Sequence, residues 1–306
     1  MKILVFGSNG LVGSNIKSIF SSDSDFNCVF STRKDTNLFS FEETKKIILK
    51  EKPNLIINSA AKVGGIVAND TQRTDFLIEN LKINLNILES LKNLDPIKFI
   101  NLGSSCIYPL NSPNPINENQ IMNGPLEPTN SAYAMAKLVA IELGASVEKE
   151  FGHNVINLMP TNLYGTNDNY SENSSHVIPG LIRRMHEAKK INKKDFYIWG
   201  TGKPLREFLN AADLAKAIRF IIKNNIKENI LNIGSNEEIS ISSLANMIQR
   251  IVKFDGQLLY DHSKPDGNPR KLLDSKKIFQ YGWKPEIELE NGIKEAYEWF
   301  LESQYS

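Results

Sequence analysis

The N-terminal segment constrains the fold more than any other part of this 306-residue chain. An apolar, strand-like run at residues 2–6 leads into a glycine-rich turn and then into a helical pattern that includes Ile16 and Phe20. Glycines let the backbone turn tightly and approach a pyrophosphate, whose charge rests on the N–H groups at the helix N-terminus. Such a string also occurs in ordinary loops, but its place directly after a strand favours dinucleotide binding. The turn consists of Gly7, Ser8, Asn9, Gly10, Leu11, Val12 and Gly13.

Strand-like runs and helical patterns alternate through the first half of the chain. The predicted strands lie at residues 2–6, 28–30, 54–58, 98–102 and 155–158. This alternation predicts an α/β protein with a Rossmann-type doubly wound parallel sheet, whose ligands bind beyond the carboxyl ends of the strands. The rhythm breaks down after residue 165. We therefore expect a Rossmann domain at 1–165 with a return contribution from about 207–235, and a smaller C-terminal α/β substrate-binding domain at 166–206 and 236–306.

The charge balance excludes a global electrostatic attraction to nucleic acid or membrane. Lys and Arg number 36 against 35 Asp and Glu, a net charge of +1, so an anion site must be built locally. No apolar run approaches the roughly 20 residues of a membrane span, and Met1 leads into a strand instead of a signal peptide. We expect a cytoplasmic protein in which Cys28 and Cys106 are thiols.

The end of the second strand bears on which dinucleotide binds. An NAD enzyme would present an acid to the adenosine ribose there, about 20 residues after the turn, but the sequence reads Ser31-Thr32-Arg33-Lys34. Arg33 with Ser31 suits a 2′-phosphate, so the sequence predicts NADP. Two alternatives stay open: Asp35 keeps NAD possible, and Arg33 with Lys34 is also compatible with a solvated charge pair.

A predicted helix in the middle of the chain carries Tyr133 and Lys137 four residues apart, so both project from one face. An ammonium near a phenol favours the phenolate, which would allow proton transfer near neutral pH. By itself such a pair more often marks a core ring beside a solvated charge. Ser104, at the carboxyl end of the fourth predicted strand, strengthens the catalytic interpretation.

Ser104, Tyr133 and Lys137, together with the N-terminal glycine turn, resemble the Ser-Tyr-Lys arrangement of the extended short-chain dehydrogenases/reductases. Further segments, spread in order over nearly the whole chain, resemble signature segments of the GDP-L-fucose synthase family. They lie at residues 60–66, 103–109, 159–165, 175–179, 206–209 and 264–271.

The resemblance implies an enzyme that uses NADPH to convert GDP-4-keto-6-deoxy-D-mannose to GDP-L-fucose, epimerising carbons 3 and 5 and reducing carbon 4. Ser104 and Tyr133 would hydrogen-bond the 4-oxygen, which stabilises the enolate formed when a neighbouring carbon loses its proton. Cys106 and His176 match the family's base and acid. Tyr133, supported by Lys137, would deliver a proton as hydride reaches carbon 4.

The binding residues are likewise implied by the resemblance. Besides the turn, Arg33 and Lys137, the cofactor contacts would be Leu102, Gly103, Pro160, Asn162, Leu163 and His176. The substrate contacts would be Arg184, Trp199, Arg206 and Asp266. No metal is expected, and a homodimer is expected by analogy. The chain departs from relatives at Asn9, often Arg, and at Ser31, which replaces a basic residue.

Three other functions stay open. The first is an NADPH-dependent 4-keto reductase of a related GDP-sugar, such as a GDP-heptose, with little or no epimerisation. The second is a dehydratase or 4-epimerase that recycles its nicotinamide, although residues 105–107 lack the acid that dehydration requires. The third is a catalytically idle NADP-sensing or scaffold protein on the same fold.

Overall fold

A computed structural model describes residues 1–172, 174–264 and 266–304 of the chain. Pro265, which belongs to the sixth of the segments above, therefore lies outside the described residues. The first half of the structure follows the predicted alternation of strands and helices. Its elements are β1 (Lys2–Phe6), α1 (Leu11–Ser21), β2 (Asn27–Ser31), α2 (Phe41–Glu51), β3 (Leu55–Asn58), α3 (Ile66–Thr71), α4 (Arg73–Leu91), β4 (Lys98–Leu102), α5 (Ser131–Phe151) and β5 (Asn154–Pro160).

The second half has shorter strands. Two single-turn 3-10 helices, Ser105–Ile107 and Glu118–Gln120, lie before α5. The elements after β5 are β6 (Asn162–Tyr164), α6 (Val177–Lys190), β7 (Asp195–Trp199), β8 (Leu205–Asn210), α7 (Ala211–Lys223), β9 (Ile230–Ile233), β10 (Glu238–Ser240), α8 (Ile241–Val252), β11 (Gln257–Asp261), β12 (Arg270–Lys271), α9 (Lys276–Gln280) and α10 (Leu289–Gln304).

The main sheet has six parallel strands in the order β2-β1-β3-β4-β5-β9. Successive strand residues point to opposite faces, and β1 shows the result. Val5 packs with Ile218 of α7 in the core on one face, whereas Leu4 packs with Ile87 of α4 in the core on the other. The predicted Rossmann-type, doubly wound α/β fold is confirmed.

A second layer lies beyond the carboxyl ends of the main sheet. Strand β8 is its centre, since it pairs with β10, β12 and β6, while β7 and β11 form a separate two-stranded sheet. Helices α6, α8 and α10 pack on these strands around Ile182, Leu244 and Phe300. Strand β9 lies instead in the main sheet beside β5. On this basis we propose the two-domain organisation of the sequence analysis, with β6 and β8 in the second layer and with α7 and β9 returning to the main sheet.

Glu207 fixes the second layer in place. This carboxylate is fully buried on β8, where Oε1 accepts from the N–H of Asn236 at 2.7 Å and Oε2 from that of Leu273 at 3.0 Å. Burial raises its pKa although these hydrogen bonds oppose the shift. Glu207 therefore holds the strand of Arg206 against the segment that follows Lys271.

None of the helices in the described parts of the chain is both long enough and apolar enough to cross a bilayer.

Candidate active site

The glycine turn after β1 leaves the N-terminus of α1 open to a ligand. Gly7 has φ +77, and a Cβ at that position would lie 2.6 Å from the nitrogen of Ala60. At Gly13 a Cβ would lie 2.1 Å from the carbonyl oxygen of Gly7. Helix α1 has no side-chain cap and no acid in its first turn, and the buried hydroxyl of Ser8 has no hydrogen-bond partner. These features fit the pyrophosphate of a dinucleotide.

Beside this turn lies a cavity of about 210 Å³ at the carboxyl ends of β1 and β2. Arg33 is exposed at its edge and stacks 5.6 Å from the ring centroid of Phe39. The carboxylate of Asp35 accepts hydrogen bonds from the N–H and hydroxyl of Thr32, which lower its pKa. Ser31 is buried and donates its hydroxyl to Thr36 at 3.0 Å. The hydroxyl of Ser31 is thus engaged within the protein, whereas the guanidinium of Arg33 is exposed at the edge of the cavity.

Tyr133 and Lys137 project from α5 toward the carboxyl end of β4. Lys137 is 2% exposed, and its Nζ donates to the carbonyl oxygen of Leu102 at 2.6 Å. The same Nζ lies 5.7 Å from the centroid of the Tyr133 ring. The Tyr133 side chain is hydrogen-bonded with Ser104, whose hydroxyl also accepts from the N–H of Cys106 at 3.2 Å. The structure thus brings Ser104, Cys106, Tyr133 and Lys137 together.

The ionisation of Tyr133 differs from the sequence-based expectation. Burial raises its pKa well above the ordinary value, the charge of Cys106 adds to this, and the hydrogen bond to Ser104 only partly opposes it. Burial also lowers the pKa of Lys137 to about 8. In the protein alone, desolvation thus acts against the phenolate form that the spacing of Tyr133 and Lys137 suggested. The phenol keeps its proton and is suited to donating one.

Cys106 lies at the meeting point of the two layers. It is half-buried in the 3-10 helix after β4, and its Sγ is 3.8 Å from the Nζ of Lys271. Lys271 pairs with Arg206 in the register of β12 with β8. Lys271 lies in the segment at residues 264–271, but its role could not be inferred from the sequence, because a single lysine carries no signal about which distant side chain it will contact.

His176 precedes the first residue of α6, at its N-cap position. The N–H of Gly65 donates to the carbonyl oxygen of Ser174 at 3.1 Å, and a Cβ at Gly65 would lie 2.6 Å from the oxygen of Ser175. The segment leading to His176 therefore touches the loop after β3. Burial lowers the pKa of the imidazole and favours its neutral form.

A half-exposed indole and two cations lie on the second layer. Trp199 is 50% exposed, with the guanidinium of Arg184 at 5.2 Å and the ammonium of Lys264 at 5.8 Å from its ring. Arg184 also stacks on Phe196 at 4.8 Å and donates to the oxygen of Tyr197. An aromatic surface beside two positive charges suits a nucleoside diphosphate.

Arg206 and Asp266 are joined through the loop before β12. One Nη of Arg206 donates to the carbonyl oxygen of Asp266 at 3.2 Å. The Asp266 carboxylate accepts from both the N–H and the hydroxyl of Thr201, each at 2.7 Å, and these bonds lower its pKa. These hydrogen bonds hold the loop in place. The predicted contact of Asp266 with substrate would have to use the remaining lone pairs of its carboxylate.

The remaining predicted cofactor residues lie at the ends of β4, β5 and β6. Leu102 and Leu163 pack in the core below the site. A Cβ at Gly103 would lie 2.4 Å from the Met159 side chain. Pro160 ends β5, and the amide of Asn162 donates to the carbonyl oxygen of Glu207 at 2.8 Å. Within the described residues there is no group of three potential metal ligands.

The chain is similar to known proteins along its whole length. Residues 3–234 match the NAD dependent epimerase/dehydratase family. A protein of Sinorhizobium fredii (strain NBRC 101917 / NGR234) named GDP-L-fucose synthase is 45% identical over 300 residues, which is 98% of this chain and 95% of the relative. The resemblance deduced from the sequence segments is confirmed.

Two solved structures are likewise similar to this chain over nearly its whole length. A GDP-6-OMe-4-keto-L-xylo-heptose reductase from C. jejuni is 32% identical, with a TM-score of 0.91 over 99% of this chain and 98% of that one. A GDP-L-fucose synthetase from Naegleria fowleri bound to NADP is 29% identical, with a TM-score of 0.89 over 100% and 95%.

Proposed function

The chain belongs to the NAD dependent epimerase/dehydratase family, and we infer that it is an NADPH-dependent enzyme that converts GDP-4-keto-6-deoxy-D-mannose to GDP-L-fucose. The reaction inverts carbons 3 and 5 of the sugar and reduces carbon 4. One observation carries the assignment: Tyr133, Ser104 and the half-buried Cys106 converge at the carboxyl end of β4. A simple ketoreductase requires the first two but has no need of the thiol.

The glycine turn, the open N-terminus of α1 and Arg33 would hold the dinucleotide, which supplies hydride when bound. Lys137 would meet the nicotinamide ribose, while its bond to Leu102 fixes α5 against β4. For reduction, Ser104 and Tyr133 orient the 4-oxygen, and the phenolic proton moves to that oxygen as it gains charge. The raised pKa of Tyr133 keeps the proton on the phenol until then.

For epimerisation we assign Cys106 as base and His176 as acid. The thiolate takes the proton from a carbon beside the carbonyl, and the electron pair moves to the 4-oxygen, which Ser104 and Tyr133 stabilise. His176 then gives a proton to the opposite face of that carbon. Burial lowers the pKa of His176, so its acid form depends on the negative charge that the GDP-sugar brings.

A GDP-linked keto sugar fits the second layer. We assign Trp199, Arg184 and Arg206 to the nucleotide and its diphosphate because they combine an aromatic face with planar, doubly hydrogen-bonding cations. Asp266 would complete the site from the loop that it shares with Thr201.

A second candidate function is reduction of the 4-keto group of a related GDP-sugar, such as a GDP-heptose, with little or no epimerisation. The similarity to the heptose reductase favours it. Both functions require Tyr133 and Ser104 for reduction, whereas only the first requires Cys106 and His176 for epimerisation.

Incubation with GDP-4-keto-6-deoxy-D-mannose and NADPH in deuterium oxide separates the two. We expect a product with the L-fuco configuration and deuterium at carbons 3 and 5, read by NMR. An enzyme-free incubation measures spontaneous exchange beside the ketone. A reduced product with neither deuterium label nor inversion at carbons 3 and 5 would identify the enzyme as a simple reductase.

We propose that the enzyme is a homodimer formed through α4 and α5. The two helices lie side by side, since Phe76 contacts Tyr133 edge to face and Arg73 donates to Ser131. Their solvent faces carry large exposed apolar residues at helical spacing, a pattern that indicates a protein interface. These residues are Ile78, Leu85, Met135 and Val139, each between 38% and 47% exposed.

Leu85→Glu should convert the dimer to monomer in light scattering, because it places a charge in each copy of an apolar interface. The matched control is Ile191→Glu, at a 66% exposed residue just after α6, which should stay dimeric. If the Leu85→Glu protein remains dimeric, α4 does not form the interface.

We also propose a cytoplasmic location. Cys28 and Cys106 are both free thiols, which suits a reducing compartment. Fractionation of source cells would check this.

A further inference from the structure

Lys271 places a cation at the thiol that the proposed reaction uses. Its Nζ lies 3.8 Å from the Sγ of Cys106, and 165 residues of chain separate the two. We propose that Lys271 is a positioning residue that stabilises the thiolate form of Cys106 and keeps its sulfur directed at the sugar ring. The epimerisation step in this inference rests on the proposed function, whereas the ion pair itself does not.

The backbone around Lys271 is held firmly enough for such a role. Strand β12 pairs with β8, so that Lys271 lies beside Arg206. The next two residues are also fixed: the N–H of Leu272 donates to the side chain of Asn114 at 2.7 Å, and that of Leu273 to Glu207 at 3.0 Å. The half-buried lysine therefore extends from an anchored strand toward the sulfur.

Three other groups interact with Cys106, and none replaces Lys271. Ser104 accepts from the Cys106 N–H and is hydrogen-bonded with Tyr133, which keeps its own proton. The charge of Cys106 acts to raise the pKa of Lys137, but burial lowers the pKa of this lysine to about 8, and the lysine Nζ already donates to the carbonyl oxygen of Leu102. Lys271 is instead only half-buried, and its Nζ lies at the sulfur itself.

Lys271 transfers no proton in the step that it supports. The carbon–hydrogen bond beside the carbonyl breaks, a sulfur–hydrogen bond forms, and the electron pair passes to the 4-oxygen. The ammonium favours the state before this transfer, in which the sulfur is charged, so it raises the fraction of enzyme that is ready to react. After the transfer the sulfur must lose this proton again, and the ammonium lies beside it to stabilise the regenerated thiolate.

The test measures the pH profile of Cys106 alkylation by iodoacetamide, a neutral reagent, between pH 5 and 10. A Cys28→Ser background leaves one thiol. In Lys271→Met, which preserves side-chain length, we expect the midpoint to rise by about one pH unit, and in Lys271→Arg to stay near that of the parent. The control Lys276→Met removes the same charge from an exposed side chain on α9 and should leave the profile unchanged.

A Lys271→Met profile that superimposes on the parent profile would overturn the proposal. So would a raised KM with an unmoved profile, because Lys271 would then bind substrate instead of supporting the thiol. Circular dichroism and NADPH binding check that each variant is folded, and Lys271→Gln replaces the Met variant if that one does not fold.

The second readout is deuterium incorporation at carbons 3 and 5. At pH 7 it should fall about tenfold in Lys271→Met and recover as the pH rises, with little change in KM. Loss that persists at every pH would contradict the assigned role. If the parent enzyme incorporates no deuterium while the alkylation midpoint still shifts, the proposed function fails and the ion pair stands.

Discussion

Tyr133→Phe should lower the rate of NADPH oxidation with the keto sugar by about 1,000-fold, the middle of the range for loss of a positioned proton donor. The ring would keep its edge-to-face contact with Phe76, so the site should stay assembled. What disappears is the phenolic proton, which burial holds on the oxygen, together with the hydrogen bond to Ser104. Stopped-flow absorbance of NADPH measures this rate.

Two controls separate chemistry from binding in this variant. Affinity for NADPH, followed by its fluorescence, should change little, because the predicted cofactor contacts do not depend on the phenol. Deuterium exchange beside the carbonyl should slow but stay detectable, since Ser104 and Cys106 are retained. Turnover within tenfold of the parent would show that another group protonates the 4-oxygen.

Cys106→Ser should lower deuterium incorporation at carbons 3 and 5 by about 1,000-fold, because a hydroxyl is a far weaker base than a thiolate near neutral pH. The variant should still reduce a substrate that already has the product configuration at both carbons, at a rate within a few fold of the parent. That reduction uses Tyr133 and Ser104, whose contact with each other does not involve the sulfur.

Cys28→Ser is the matched control, since it removes the other thiol of the chain. Cys28 lies on β2 against the core below the cofactor site, and burial raises its pKa to about 11. It should be unreactive and its loss should leave both rates unchanged. Equal losses of epimerisation and reduction in Cys106→Ser would instead assign the sulfur a role in binding or structure.

The fold could be predicted because its signals are local. The alternation of apolar runs and helical patterns reports which faces are buried, and a strand followed by Gly7 and Gly13 admits few backbone geometries other than the observed turn. The spacing of Tyr133 and Lys137 likewise fixes their common helix face. These properties depend on neighbours within a few residues, which the sequence states directly.

The ionisation of the site could not be predicted in the same way. The spacing of the two side chains suggested that Lys137 promotes the Tyr133 phenolate, but the structure buries Lys137 and partly buries Tyr133, and desolvation then opposes charge on each. The sequence likewise gave no sign that the Ser31 hydroxyl, which it paired with Arg33 as suited to a 2′-phosphate, is buried and donates to Thr36. Burial is set by the whole fold, so spacing gives no measure of it.

By itself, the sequence determined the parallel sheet, the glycine turn and the identity of the groups at the end of β4. Only the tertiary structure decided which cation meets Cys106, because Lys271 reaches it through the pairing of β12 with β8 and the buried carboxylate of Glu207. The physical reason is that a contact between side chains 165 residues apart forms only when the two layers pack together, and no local pattern encodes the register of that packing.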